Sequence, residues 1–312
     1  MLKQSTSCVV MVRPDHFGFN AQTASTNPFQ HTPQAIHKSG KEIRDAALEE
    51  SATMIRTLRA NGIDVLVIPS RSDVITPDAI FPNNWFSHHH DGKLVLYPML
   101  TPIRRLERQK DALVELLRQA GIKKPEIIDL THDEEKGMVL EATGSMILDR
   151  VHKVAFAMAS ARTVQEEFEK WCESMGYEGL YIHTPVHHLK DVYHTNMDMC
   201  VGSEFVVVCL EVIGDKKEKK KLLQKIKDLG KECIEISLEQ VYLFCGNILE
   251  LVSKDGEKII LMSETAHRTF TGDQIKRLEQ YGRIVAVDIA LIEEVGGGGV
   301  RCMVAEVFPP GN

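Results

Sequence analysis

What this 312-residue chain lacks narrows its class before any motif is read. No apolar run approaches the roughly 20 residues that a membrane-spanning helix needs. The first fifteen residues lack the basic-then-apolar profile of a signal peptide. There is no surplus of positive charge. Lys and Arg total 37 against 44 Asp and Glu, a net charge of −7, which argues against a nucleic-acid-binding surface. The seven cysteines (Cys8, Cys172, Cys200, Cys209, Cys233, Cys245 and Cys302) are scattered, with no CxxC pair and no zinc-ligand spacing. That distribution fits reduced thiols in a cytoplasm. With 43% apolar and 26% charged residues, the expectation is a cytoplasmic, metal-free globular protein.

What is present begins near the C-terminus, where Gly296-Gly297-Gly298-Gly299 runs into Val300-Arg301-Cys302-Met303. A glycine run costs backbone entropy and brings no side chains to pack. It belongs where main chain bends tightly or lies against a ligand. Residues 300–307 read as a short apolar strand, so a phosphate cradle, which needs a helix after its glycines, is not expected. Cys302 is a candidate for chemistry, although a small buried cysteine after a loop explains the same letters.

The chain also repeats itself. Five stretches share one order: a polar residue opening a strand, a turn, a second apolar strand, an amphipathic helix and a third strand. Helices are expected over 43–61, 103–119, 164–175, a segment carrying the lysines of 216–221, and 273–281. Asp91-Gly92 and Asp255-Gly256 fall between apolar strands, a strong hairpin signal. The openings at Asn84, Glu141, His194, Cys245 and Cys302 are 57, 53, 51 and 57 residues apart. A steady period of this size implies radial repetition of one unit. A lone unit could not bury its sheet, so a single domain over 1–312 with five pseudo-repeats is expected, α/β in class.

Radial symmetry would bring the strand openings to one axis. Asn84, Glu141, His194 and Cys302 would then meet as an amide, a carboxylate, an imidazole and a thiol. Thiol with imidazole and carboxylate is a recipe for nucleophilic catalysis. The thiolate is the reactive form, and nearby cations or backbone N–H groups favour it. His194 suits proton transfer to a departing amine. Glu141, between Leu140 and Ala142, would be a costly buried carboxylate without a donor-rich partner.

These residues resemble the guanidino-group-modifying (pentein) superfamily: arginine deiminases, dimethylarginine hydrolases and amidinotransferases. The resemblance runs from Met11-Val12-Arg13-Pro14 to Val307-Phe308. It is most similar to the arginine-deiminase-related, citrulline-utilising branch through Phe19-Asn20, Thr26-Asn27-Pro28-Phe29-Gln30, Phe81-Pro82-Asn83-Asn84-Trp85, Leu140-Glu141-Ala142-Thr143-Gly144-Ser145 and Tyr193-His194-Thr195-Asn196. The resemblance implies a five-bladed α/β propeller of ββαβ units and a covalent cysteine mechanism. It implies Cys302 as nucleophile, His194 as general acid/base and Glu141 as the group orienting the substrate, with no cofactor.

Deiminases carry Asp where Asn84 and Asn196 stand here. A guanidinium offers only N–H donors and a positive charge, which carboxylates match. A ureido group is neutral and adds an oxygen acceptor that an amide NH₂ can serve. The expected substrate is therefore L-citrulline, cleaved to ornithine, carbon dioxide and ammonia. A guanidinium substrate and a non-catalytic binding module are the alternatives. Arg13 and Arg301 are candidates for a substrate carboxylate, and Asn20 for the amino-acid end by family position. For Arg301 a surface position is the blander expectation. His88-His89-His90 reads as a hairpin tip and not a metal site, because neighbours on a strand face opposite ways. The 216–221 lysines read as a solvated helix face, Cys200 and Cys209 as core, and Cys245 as a pocket-lining residue. The expected partners are a small-molecule amino-acid substrate, with a homodimer as an option, and neither nucleic acid nor membrane.

Overall fold

A computed structural model describes residues 2–183 and 193–309. The chain folds into five three-stranded mixed sheets. Four of them are built of strands consecutive in sequence. Strands β1 (Cys8–Val12) and β2 (Asp64–Ile68) are followed by the first complete set: β3 (Phe86–His88), β4 (Lys93–Leu96) and β5 (Glu126–Asp129). Next come β6 (Met146–Asp149), β7 (Val154–Met158) and β8 (Glu178–Ile182), then β9 (Met199–Val201), β10 (Phe205–Cys209) and β11 (Glu232–Ile236). The fourth set is β12 (Leu249–Val252), β13 (Lys258–Ser263) and β14 (Arg283–Val287). In each set the first two strands pair antiparallel, and the third returns parallel to the second after a helix.

The fifth sheet is closed by the two ends of the chain. β15 (Ala305–Val307) pairs antiparallel with β1, and β1 pairs parallel with β2 across the helix Gly40–Ala60. First strands of neighbouring sheets touch, β15 against β3, β6 against β9 and β9 against β12, so these strands surround the axis.

The sequence explains the layers. β1 and β10 are buried at every residue, as expected for strands covered on both faces. The helix Gly40–Ala60 buries Ile43, Ala47, Met54 and Leu58 on one stripe, and Ser39 with Glu42 forms a capping box at its start.

Two expectations are corrected. The helix over 103–119 is two, Pro102–Arg105 and Lys110–Gln119. Residues 300–303 form a turn, and the strand covers only Ala305–Val307. Before that turn the helix Ala290–Gly296 ends on Gly297 at φ +62, a left-handed cap that glycine adopts without steric cost. The histidines lie at the β3–β4 hairpin as expected, His88 ending β3 and His90 in its turn. His88 and His89 are buried, with His88 Nδ1 accepting from Phe308 N at 3.1 Å and His89 Nε2 meeting Ser87 Oγ at 2.7 Å. The 216–221 lysines are mainly exposed, and Cys200 and Cys209 are core. No helix among the described residues is long and apolar enough to cross a membrane.

Candidate active site

The polar openings of the repeats sit in short turns immediately before the axial strands. Pro82–Asn84 precedes β3, Ala142–Ser145 precedes β6 and Thr195–Asp198 precedes β9. Each turn aims side chains at the end of the axis, where Asn84, His194 and Cys302 border one cavity of ≈ 230 Å³ with Asp78, Arg104 and Arg162.

Glu141 is fully buried and organises one wall. Its Oε2 lies 2.7 Å from His194 Nε2, 3.4 Å from Arg162 Nη1 and 3.8 Å from Arg104 Nη1. Its Oε1 accepts from Leu100 N at 3.0 Å. Burial alone would raise this carboxyl, but Arg162, the His194 bond and Arg104 hold it well below the ordinary carboxylate range. Glu141 is thus a permanent anion, and an anion beside Nε2 selects the tautomer with its proton there. Among the described residues His194 Nδ1 has no hydrogen-bond partner, which leaves it to exchange a proton with the cavity. Burial pushes His194 down to about 4, against the pull of Glu141, so the resting ring is neutral.

Cys302 lines the same cavity. Its Sγ accepts from Asn247 Nδ2 at 3.3 Å and Asn196 Nδ2 at 3.4 Å. Burial raises the thiol, while the two amides, a backbone bond with Gly299 and Arg301 act to lower it. Two amide donors are what a thiolate would use once formed.

Asn84 is oriented by its neighbour. Arg104 Nη1 donates to Asn84 Oδ1 at 2.8 Å, and since arginine only donates, the amide oxygen must face it. Asn84 Nδ2 is left buried without a hydrogen-bond partner among the described residues. Arg104 is itself gripped by Glu107 at 3.0 and 2.9 Å. Gly144 permits this crowding, because a Cβ there would lie 2.3 Å from Asn84 Nδ2 and 3.1 Å from the His194 ring.

Of the eight residues singled out from sequence, Asn84, Glu141, His194, Asn196 and Cys302 come together here. Asn20 stands one shell back, donating to Asp78 Oδ2 at 2.7 Å. Arg13 does not join them. Its side chain is 61% exposed and pairs with Asp15 at 3.2 Å. Arg301 is buried, contrary to a surface position, but turns away to Glu306 at 2.8 Å and Val304 O at 3.1 Å. Cys245 is not among the cavity-lining residues, and its thiol lies 3.7 Å from Ala266 O.

Arg104, Arg162, Asp78 and Asn247 were missed. Asn247 stands two residues past Cys245, so the repeat period itself pointed within a turn of it. Nothing in the local sequence separates Arg104 from Arg105 and Arg108. Among the described residues no cluster of His, Cys, Asp and Glu could hold a metal.

A family model described as "N,N dimethylarginine dimethylhydrolase, eukaryotic" matches residues 13–309. No curated protein gives a significant match. Among solved structures, ArgZ, an arginine dihydrolase from the ornithine-ammonia cycle in Cyanobacteria, superposes with a TM-score of 0.75 at 16% identity, covering 97% of this chain and 41% of that one. The chain therefore spans about two fifths of that relative's length. The substrate-bound N-terminal domain of ArgZ gives 0.74 at 15% identity, with 97% and 98% covered. A dimethylarginine dimethylaminohydrolase variant, in an adduct with S-methyl-L-thiocitrulline, gives 0.63 at 18% identity, with 98% and 99% covered. At these identities the structures establish the fold, a five-bladed α/β propeller. The resemblance to the citrulline branch narrows accordingly to the superfamily.

Proposed function

The chain belongs to the eukaryotic N,N dimethylarginine dimethylhydrolase family, and from that premise we propose that it hydrolyses a C–N bond at the terminal carbon of a guanidino or ureido amino acid through a covalent Cys302 adduct. The observation that carries this reading is the shared cavity. Cys302 and His194 border the same space, and Glu141 holds the ring through Nε2.

The steps follow from the resting charges. With the thiol raised and the imidazole neutral, His194 Nδ1 takes the Cys302 proton as the sulfur attacks the substrate carbon. Asn196 and Asn247 stabilise the sulfur while it is anionic. His194 then gives its proton to the departing amine, and water, deprotonated by the same nitrogen, cleaves the thioester-like adduct to restore the thiol. Asp78 Oδ1 is buried and unpartnered, an acceptor for substrate N–H groups. Arg162 Nε is likewise unpartnered and is the donor proposed for a substrate carboxylate.

Family membership favours an N-methylated arginine, with dimethylamine leaving and citrulline as the other product. A second reading, L-citrulline itself, is supported by the orphaned Nδ2 of Asn84. That donor suits a ureido oxygen and has nothing to accept it on a guanidinium. In this case water and citrulline give ornithine, carbon dioxide and ammonia. A panel of dimethylarginine, arginine, agmatine and citrulline, scored for amine, ammonia and carbon dioxide, tests both. Turnover of none of them, with Cys302 no more reactive than the other six thiols, would leave a binding module.

A further inference from the structure

Apart from the Cys302 cavity, the fold carries an aromatic groove of ≈ 750 Å³ lined by Phe29, Tyr242, Phe244 and Glu293. The ring of Phe29 lies 5.2 Å from that of Tyr242 and 5.6 Å from that of Phe244. Phe244 is held at φ +64, a left-handed conformation that bulky side chains rarely occupy. Glu293 is 4% exposed; its Oε2 accepts from Thr265 at 2.6 Å and Ser263 also lies against the carboxyl, whereas its Oε1 has no hydrogen-bond partner among the described residues. Its other ionisable neighbours, Glu50 and Asp288, are acids, and exposed Glu294 lines the same groove. Among the described residues no ion pair engages Glu50, Glu293 or Glu294.

A buried carboxylate without a cation is costly, and aromatic faces attract cations. Here both stand at one groove, and among the described residues His31, the base in its lining, forms no ion pair with Glu293. We propose that this groove binds a small organic cation, an ammonium or guanidinium on a short aliphatic stem, at a place separate from the Cys302 cavity. The head group meets Glu293 Oε1, and the stem lies across Phe29, Tyr242 and Phe244. Its occupant adjoins the loop that carries the thiol. Glu293 O accepts from Gly297 N at 2.9 Å, Gly297 O accepts from Tyr193 Oη at 2.5 Å, and Tyr193 touches Phe29 at 5.6 Å.

Calorimetric titration of the full chain with n-butylguanidinium tests the site without reference to turnover. One equivalent is expected to bind. Glu293→Gln and Tyr242→Ala each weaken it at least tenfold, Asp78→Asn in the other cavity leaves it within twofold, and neutral n-butylurea does not bind. Tyr242 is 40% exposed, so its truncation tests the groove even if Glu293→Gln unfolds the chain. Absence of binding, equal binding of n-butylurea, or affinity lost only in Asp78→Asn would overturn the proposal and leave the hydrolase reading untouched.

Discussion

Asn247 holds the sulfur of Cys302 from one side, donating at 3.3 Å while its own oxygen accepts from Arg301 N at 3.0 Å. The same residue thus fixes the backbone beside the cysteine and solvates its sulfur. A hydrogen bond to a charged group contributes about 1.5–3 kcal/mol. Since it favours the thiolate, Asn247→Ala should raise the pH at which Cys302 reacts with iodoacetamide by about one unit, or slow labelling about tenfold at fixed pH. Peptide mass spectrometry reads this directly; equal labelling rates would mean that the amide does not serve the anion.

Asn84 sets substrate charge if its free Nδ2 meets a ureido oxygen. Asn84→Asp replaces that donor with a second acceptor and adds a negative charge, which favours a guanidinium. The ratio of kcat/KM for dimethylarginine or arginine over citrulline should rise at least tenfold, roughly 1.4 kcal/mol. An unchanged ratio would remove Asn84 from substrate selection.

His194 is displaced to about 4 by burial, against Glu141. Its charged form is disfavoured, so protonation of the resting imidazole should cut activity near pH 4 and not near its ordinary 6.5. Glu141→Gln removes the anion that supports the imidazolium. kcat should then fall on the order of 10²-fold or more, and the His194 midpoint should move lower still. Ring-proton NMR across pH 3–8 follows that midpoint independently of turnover.

Burial raises Glu293 to about 7 from 4.5, so the folded state holds this proton more tightly than the unfolded chain. Stability from Glu293 is therefore complete below about pH 4.5 and lost as pH rises through about 7. Denaturant melts at pH 5, 6, 7 and 8 should show the wild type losing ground to Glu293→Gln, by at most about 1.4 kcal/mol per pH unit. Parallel curves would contradict the buried, unpaired assignment.

Gly144→Ala should harm the site more than the fold. The new Cβ meets Asn84 Nδ2 and the His194 ring, not backbone. We expect about 1–3 kcal/mol of lost stability, together with a fall in kcat/KM on the order of 10². Activity retained while Tm drops would place the crowding away from the chemistry.

The repeat was legible because Asp-Gly turns and evenly spaced polar openings are local signals. Those openings delivered Glu141, His194 and Cys302, the residues whose chemistry is unusual at the start of an apolar strand. The arginines were hidden for a physical reason. Arg104 looks like any helix-surface arginine, and only the break between Pro102–Arg105 and Lys110–Gln119 turns it inward against Glu107. Arg162 follows β7 and meets Thr26 at 2.9 Å across 136 positions, a distance that no window of sequence spans. Arg13 failed in the opposite way: its bidentate guanidinium suggested a carboxylate ligand, and the fold put it in water.

Ring closure by β15 on β1 couples assembly to competence. The strand that zips the first and last segments together begins three residues after the sulfur-bearing Cys302. A ribosome-bound or proteolytically clipped chain with only the earlier sheets would have both an open seam and no Cys302. On the proposed Cys302 mechanism, such fragments would be inactive, and loosening of that seam would lower turnover.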